Sequence, residues 1–217
     1  MKISAVDKSS FEGIPFSNIK VKGSPSEYKL YNINHHDTNF LKQMYENINL
    51  RYLMPKMSKE DYTIWDEMLK SAIKSSNNSS KKVFIETCDN MPCGILNYSD
   101  LGKLLHLNYI VTYPIKQSKR VMCGGQILMN ELLKRFIKSD AQKLELQALR
   151  SSPFSPIFVY RKMGFGSIGG DNYSEFMRIN KERAILALAK QDEFIMSTPI
   201  TNPVEEDLLK TLNIKYE

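Results

Sequence analysis

The sequence predicts a mixed α/β domain built on a central, mostly antiparallel sheet. Three observations favour this fold class: short strand-like runs alternate with amphipathic helices, three such runs follow one another between turn residues, and a strand–helix–strand order comes later. The predicted order is β, α, α, β, β, β, α, β, α, β over residues 28–179. With 42% hydrophobic residues, the 217-residue chain has enough apolar side chains for one sizeable core.

The first predicted elements are one strand and two helices. Tyr28–Ile33 alternates apolar and polar side chains, as a half-buried strand does. Asp37 can cap a helix over residues 38–49. Ser58, followed three residues later by an acid, resembles a capping box and opens a second helix that ends near Lys74. Both helices repeat apolar side chains on one face, so each is expected to pack on the sheet.

Three strand-like runs separated by turn residues follow a polar loop and predict an antiparallel meander. In chain order they are Lys82–Cys88, Cys93–Ser99 and Leu104–Tyr113. The remaining predicted elements are a helix over Gly124–Lys138, a strand over Leu144–Leu149, a short helix from Ser155 to about Met163 and a strand over Ser174–Ile179.

The two ends of the chain carry weaker patterns. Residues 1–27 contain Gly and Pro without sustained periodicity and predict an N-terminal arm with room for one short strand. Residues 180–217 predict a C-terminal helical extension, with helices near Lys181–Lys190 and Glu205–Leu212. This extension is open to four interpretations: packing on the domain, docking of a partner, formation of a homodimer, or a part in catalysis.

Composition argues against several function classes. The net charge is +6, but basic residues are interleaved with acids and form no block with aromatics, so nucleic-acid binding is not favoured. Three cysteines, Cys88, Cys93 and Cys123, lack the paired spacing of a disulfide framework or a zinc site, and no metal is expected. No apolar run approaches the roughly 20 residues of a membrane span, and the N-terminus does not resemble a signal peptide. We therefore expect a cytoplasmic protein.

A basic, glycine-bearing turn joins the third strand of the meander to the next helix. It reads Arg120-Val121-Met122-Cys123-Gly124-Gly125-Gln126 and is preceded by Lys119. Backbone N–H groups at such a helix start face outward and attract anions. The pattern indicates a site for a nucleotide phosphate tail; the alternative is an ordinary glycine loop before a helix.

A tyrosine near the end of a short helix forms the second motif. The sequence Val159-Tyr160-Arg161-Lys162-Met163-Gly164-Phe165 ends a predicted helix with a glycine followed by a phenylalanine. The structural interpretation is a glycine C-cap with an apolar contact. The chemical interpretation is a phenol, with an ordinary pKa of about 10, that can donate a proton.

The two motifs, in this order and on these elements, resemble the acetyl-CoA-binding halves of the GCN5-related N-acetyltransferase (GNAT) superfamily. The family's turn, Gln/Arg-x-x-Gly-x-Gly/Ala, stands here as Arg120-x-x-Cys123-x-Gly125, after a loop longer than usual. The family's Leu-Tyr-x-Lys-x-Gly-Phe is matched closely by residues 159–165. The resemblance covers residues 28–179. It implies a sheet of about six to seven strands, splayed at the strand before the phosphate turn.

The resemblance implies an N-acetyltransferase that moves an acetyl group from acetyl-CoA directly to an amine on a small molecule or a protein. Tyr160 would assist departure of the thiolate, and Glu86 or His106, on neighbouring predicted strands, would serve as general base, with Glu145 as a weaker third. Each of these three is also open to a purely structural role. The residues implied in cofactor binding are Tyr109, Ile110, Val111, Lys119, Arg120, Val121, Met122, Cys123, Gly124, Gly125, Gln126 and Tyr160.

The alternative function is a GNAT-like module that binds CoA, or a partner protein, without catalysing transfer. Cys123 in the turn, Pro153 before the tyrosine motif and the absence of an obvious base favour this alternative. Tyrosine-dependent turnover separates the two.

Overall fold

Nine strands form one sheet in the part of the chain that the structure describes. The computed structural model describes residues 13–25, 27–33, 37–39, 41–42, 58–74, 80–87, 92–112, 124–150 and 156–200. The strands are β1 (Ile14–Val21), β2 (Glu27–Ile33), β3 (Ser80–Thr87), β4 (Pro92–Asp100), β5 (Leu104–Thr112), β6 (Lys143–Leu149), β7 (Gly166–Gly170), β8 (Ser174–Asn180) and β9 (Ile195–Pro199). Their order across the sheet is β7-β8-β6-β5-β4-β3-β2-β1-β9. All neighbouring strands run antiparallel except β5 and β6, which run parallel.

Four helices with defined bounds accompany these strands: α1 (Lys59–Lys74), α2 (Gly124–Lys138), α3 (Pro156–Lys162) and α4 (Lys181–Asp192). The predicted cap of α1 is present, because Ser58 Oγ accepts a hydrogen bond from the Asp61 N–H at 3.0 Å. The side chain of Asn180 caps α4 in the same way, through the Arg183 N–H. Of the remaining predicted helices, the one over residues 38–49 lies mostly, and the one near Glu205–Leu212 entirely, outside the described residues.

Apolar side chains fill both faces of the sheet. On one face, α2 packs against β4 and β5 in a cluster that also includes side chains of β6 and β8, and the helix contributes Ile127, Leu128, Met129, Leu132, Leu133 and Phe136. On the other face, α1 packs over β4 and β5 and buries Leu69, Ala72 and Ile73. Full burial of a side chain of this size stabilises the fold by roughly 1.5–3 kcal/mol. The two clusters hold the central strands in place between the helices.

The predicted fold class is confirmed, and the predicted count of about six to seven strands is too low. The six strands predicted from alternation correspond to β2, β3, β4, β5, β6 and β8. The other three lie at or beside the edges of the sheet. β1 alternates buried and exposed residues and lies in the arm that was given room for one short strand, whereas β7 and β9 show little alternation. The edge strand β7 reads Gly-Ser-Ile-Gly-Gly, and the opposite edge strand β9 ends in a proline.

The predicted N-terminal arm and the predicted C-terminal extension each add a strand to this sheet. β1 lies within residues 1–27, and β9 lies within residues 180–217 after the helix α4. β9 pairs antiparallel with β1 from Ser17↔Pro199 to Val21↔Ile195. The chain thus returns to its own N-terminal strand. Within the described ranges, no helix has the length and apolar character needed to cross a membrane.

Candidate functional site

A gap opens in the sheet between β5 and β6. The two parallel strands pair only from Leu104↔Lys143 to Leu107↔Leu146, although β5 continues to Thr112 and β6 to Leu149. Beyond Leu107 the described part of β5 pairs with β4 alone, and β6 pairs with β8 alone. Since N–H and C=O groups alternate in direction along a strand, every second peptide of β5 points into the gap. The splay expected before the phosphate turn is present.

A β-bulge lies where the pairing ends. Asn97 of β4 is the register partner of Tyr109, and the next residue, Tyr98, is the partner of Leu107, so Asn108 is an additional residue in β5. Bulges bend a strand and increase its twist. The bend at Asn108 therefore accounts for the separation of β5 from β6.

Buried polar side chains fix this bulge. The Asn108 amide donates to Asn97 Oδ1 and to Ser99 Oγ, both at 2.8 Å. Asn97 is fully buried and donates in turn to the Ala72 carbonyl of α1 at 3.3 Å. A buried polar group is stable only when it is hydrogen-bonded, so this network holds β4, β5 and α1 in one arrangement.

The bulge also reverses which side chains face which helix. Leu105 and Leu107 belong to the cluster under α2, whereas Tyr109 and Val111 belong to the cluster under α1. Ile110 packs on the α2 side. The three residues expected to bind the cofactor therefore line the gap from both faces of the sheet.

The start of α2 lies at the open end of the gap. Gly94 of β4 permits this packing, since a Cβ there would lie 2.8 Å from the Val111 carbonyl oxygen and 3.1 Å from Leu128 Cδ1. Thr112 at the end of β5 is close to Gly125, whose Cβ would lie 3.7 Å from the Thr112 methyl group. The first N–H groups of a helix have no partner within it, and they are available to an anion.

The structure describes only part of the predicted phosphate turn. Gly124, Gly125 and Gln126 form the first turn of α2. The other predicted members, Lys119, Arg120, Val121, Met122 and Cys123, lie outside the described residues, as do Cys88 and the side chain of Cys93.

Tyr160 lies on α3 against the core. Its partly buried side chain packs on the cluster that contains Leu146 and Ala148 of β6, and its ring centroid is 5.8 Å from that of Phe165. Burial raises the pKa of the Tyr160 phenol above its ordinary value, so the group remains protonated at neutral pH. The expected helix cap is present: Gly164 has φ +93°, and the Phe165 N–H donates to the Tyr160 carbonyl at 3.1 Å.

The candidate bases do not converge on one place. His106 and Glu145 are register partners near the closed end of the gap, on the face of the sheet opposite Leu105 and Leu107. Glu145 accepts a hydrogen bond from Arg178 Nε at 2.6 Å, which occupies its carboxylate. Glu86 is placed by its backbone only, at the far end of β3, and β4 lies between it and the strand of His106. The expectation that Glu86 and His106 lie on neighbouring strands is therefore wrong.

The separation of Glu86 from His106 can be measured along β4. The β4 partner of Glu86 is Pro92 and that of His106 is Ser99, seven residues further on. At 3.2–3.4 Å per residue this spacing is about 23 Å. His106 lies two residues from the bulge and is the candidate base closer to the closed end of the gap.

Comparison with known proteins supports the fold. No protein-family model matches the sequence, and no curated protein matches it. Among solved structures, apo FdhC, described as a nucleotide-linked sugar GNAT, is similar with a TM-score of 0.52 and 15% identity, over 77% of this chain and 94% of FdhC. The chain has the GNAT fold.

Other solved GNAT structures are similar at lower scores. The spermidine/spermine N-acetyltransferase SpeG from Vibrio cholerae has a TM-score of 0.48 and 17% identity, over 73% of this chain and 95% of SpeG. The PaiA N-acetyltransferase from Thermoplasma acidophilum, in complex with coenzyme A, has a TM-score of 0.48 and 16% identity, over 70% of this chain and 98% of PaiA.

An ion-pair cluster that includes Arg161, the residue after Tyr160, was not predicted from the sequence. Glu175 of β8 has a side chain only 2% exposed, and its carboxylate accepts hydrogen bonds from Arg161 Nη2 at 2.9 and 3.2 Å. Arg150 Nη2 lies 3.4 Å from the same carboxylate. The hydrogen bond from Arg161 is the main cause of a lowered Glu175 pKa, so the carboxylate stays charged.

Two features of the sequence could have indicated the buried polar residues of the bulge and the buried Glu175. Asn97, Ser99 and Asn108 interrupt otherwise apolar strands, and a polar side chain at a core position requires a partner. Glu175 follows Ser174 inside the predicted final strand, so one of the two had to face the core. In the structure both are buried.

Proposed function

We propose that this chain is an acetyl-CoA-dependent N-acetyltransferase that transfers the acetyl group directly to an amine. The observation that carries the proposal is the gap between β5 and β6, with the start of α2 at its open end and α3, the helix of Tyr160, in contact with β6. A closed sheet would offer no place for an extended ligand between two strands.

The chemistry of the gap suits the parts of CoA. The peptide groups of Tyr109, Ile110 and Val111 alternate in direction, so some are available to pair with the two amides of the pantetheine arm, as in strand addition. The N–H groups at Gly124 and Gly125 suit the pyrophosphate. The remaining residues proposed for the phosphates are Lys119, Arg120, Val121, Met122, Cys123 and Gln126.

Acetyl-CoA supplies an acetyl thioester, and the residues around the gap act on the acceptor and on the leaving sulfur. The amine nitrogen bonds to the acetyl carbon, the carbon–sulfur bond breaks, and the amine proton passes to a base. Tyr160 donates its hydroxyl proton to the departing sulfur. The Tyr160 phenol is protonated at neutral pH, as this step requires. A backbone N–H of β5 stabilises the carbonyl oxygen.

His106 is the base that we favour, acting directly or through water. It lies beside the bulge, on the α1 face of the sheet, and a neutral imidazole nitrogen can accept the amine proton. Glu145 is paired with Arg178, and Glu86 lies about 23 Å away along the sheet. The amine, on a small molecule or a protein, would enter from this α1 face, opposite the face that carries α2 and α3.

The test combines binding with turnover. Isothermal titration of CoA into the intact chain should show binding at micromolar concentrations. Acetylated product should form from acetyl-CoA and a panel of amines, measured by mass spectrometry because the three cysteines interfere with thiol reagents. Tyr160→Phe should lower kcat about 10- to 100-fold. Tyr173→Phe, which removes the hydroxyl of a side chain that is 77% exposed, is the matched control and should leave kcat unchanged.

Each possible result has a distinct meaning. Binding of CoA without product from any amine would favour the non-catalytic GNAT-like module. Turnover that does not depend on Tyr160 would refute the proton-donor role. If CoA does not bind at high micromolar concentration, the cofactor proposal itself is wrong.

A further inference from the structure

The helix that carries Tyr160 has little support of its own. α3 has seven residues, and none of them is fully buried. Helices this short do not form in isolation, because the free-energy cost of nucleation exceeds the stabilisation that one or two turns provide. Its position must therefore come from contacts with the sheet, of which Ile157 and Tyr160 provide the apolar part.

Glu175 provides the polar part. Its carboxylate lies almost fully buried on β8, a register partner of Ala148 in β6 and of Gly170 in β7. Arg161, the residue after Tyr160, spans from α3 to this carboxylate with hydrogen bonds of 2.9 and 3.2 Å. The contact fixes the rotation of α3 about its axis, since it lies on the residue adjacent to the tyrosine.

A second set of contacts prevents Glu175 from moving. Arg150, which lies 3.4 Å from the carboxylate, also donates through Nε to the Asp171 carbonyl at 3.0 Å. The Asp171 carboxylate accepts hydrogen bonds from the Tyr173 and Ser174 N–H groups at 2.8 and 2.7 Å and closes the β7–β8 turn. The carboxylate is thus held between the sheet, the turn and α3.

We propose that Glu175 is a positioning residue for acetyl transfer, which holds α3 through Arg161 so that the Tyr160 hydroxyl faces the sulfur of the bound thioester. The proposal rests on the proposed function. In this role Glu175 contacts neither the acetyl donor nor the acceptor, and it lies 15 residues after Tyr160, the tyrosine that it positions.

A double-mutant cycle tests this role. Glu175→Gln should lower kcat about tenfold, with the KM for acetyl-CoA changed by less than about threefold, because the cofactor gap itself is unaltered. In a Tyr160→Phe background the same substitution should change kcat by less than about twofold, since its effect acts through the missing hydroxyl. Equal losses of kcat in both backgrounds would show that Glu175 only stabilises the fold, and would overturn the proposal.

Two further variants keep the test decisive. Arg161→Gln, at a side chain that is 58% exposed, should reproduce the kcat loss if Glu175→Gln fails to fold. Glu131→Gln removes another carboxylate–arginine pair, with Arg135 on α2 at 2.6 Å, and should lower stability without affecting kcat. An unchanged kcat in both Glu175→Gln and Arg161→Gln would also overturn the proposal.

A spectroscopic measurement separates this proposal from the proposed function. In protein labelled at the tyrosine Cζ carbon, the Tyr160 resonance, assigned with Tyr160→Phe, should ionise in the wild type only above the pKa of an exposed tyrosine, about 10. In Glu175→Gln it should ionise at a lower pH than in the wild type, because loss of the anchor exposes the ring. If no amine is acetylated but this shift occurs, the anchor is real and the proposed function is wrong. If turnover occurs and the resonance is unaffected by Glu175→Gln, the anchor is wrong.

Discussion

Replacing Gly94 with alanine tests how tightly the wall of the gap is packed. The added Cβ would lie 2.8 Å from the Val111 carbonyl oxygen, 3.1 Å from Leu128 Cδ1 and 3.3 Å from the Thr112 Cα. Two of these atoms belong to the backbone of a paired strand, so β5 and α2 must move. Overpacking of this kind destabilises the folded state by about 1–3 kcal/mol. The lower entropy of the unfolded alanine variant offsets about 0.4–1 kcal/mol of this loss. We therefore expect a net destabilisation of about 1–2 kcal/mol.

Urea unfolding and thermal melting measure this change. For a domain of this size the expected fall in Tm is about 2–8 °C. The affinity for acetyl-CoA, measured by calorimetry, should also decrease, since Val111 and Thr112 form the displaced wall. Gly125→Ala is the matched control for stability alone, since Gly125 is itself proposed to bind the pyrophosphate. Its Cβ would meet only the Thr112 methyl group, at 3.7 Å, and alanine favours the helix by up to about 1 kcal/mol. A Gly94→Ala protein within about 0.5 kcal/mol of the wild type would refute the steric reasoning.

Three further predictions concern the bulge, the end of β5 and the anchor of α3. Asn108→Ala should cost about 1–3 kcal/mol in urea unfolding and weaken CoA binding, because it leaves two acceptors of β4 without their donor; unchanged stability would contradict this. Trp65, the single tryptophan, donates to the Thr112 carbonyl at 2.9 Å, so its fluorescence should change when CoA enters the gap; a constant emission at saturating CoA would count against the proposed location. The pKa of Glu175 is lowered in the folded state. The charged carboxylate therefore contributes its full stabilisation above about pH 4.3, the pKa of an unperturbed glutamate, and this stabilisation is lost as the pH falls below that value. The difference in unfolding free energy between wild type and Glu175→Gln should be constant from pH 5 to 8 and shrink below about pH 4.3; a difference that grows with acid would be inconsistent with the ion pair.

The sequence predicted the parts of the fold that depend on local periodicity. The alternation of Tyr28–Ile33 and the apolar stripe of α2 determine which face is buried, and both elements lie where they were expected. The edge strands β7 and β9 could not be predicted in the same way. Each is stabilised by a neighbour in the sheet, and such pairing depends on residues far away in the sequence.

The site shows the same division between local and distant causes. The cap at Gly164 is readable from the sequence because a positive φ favours glycine, and it is present. The polar Asn108 signals a hydrogen-bond partner but not a bulge, because the register of β5 depends on its pairing with β4. The burial of Glu175 depends on arginines 14 and 25 residues before it, which only the folded chain brings together.

The pairing of β9 with β1 has a consequence for the order in which the chain can assemble. The hydrogen bond from Ser17 to the Thr198 carbonyl joins residues 181 positions apart, so the outer edge of β1 stays uncovered until almost all of the described sheet has been synthesised. Uncovered strand edges pair readily with other chains. Contacts this distant in sequence also form late and slow folding. During synthesis, the nascent β1–β2 hairpin therefore exposes a strand edge that can pair with other chains until β9 is made.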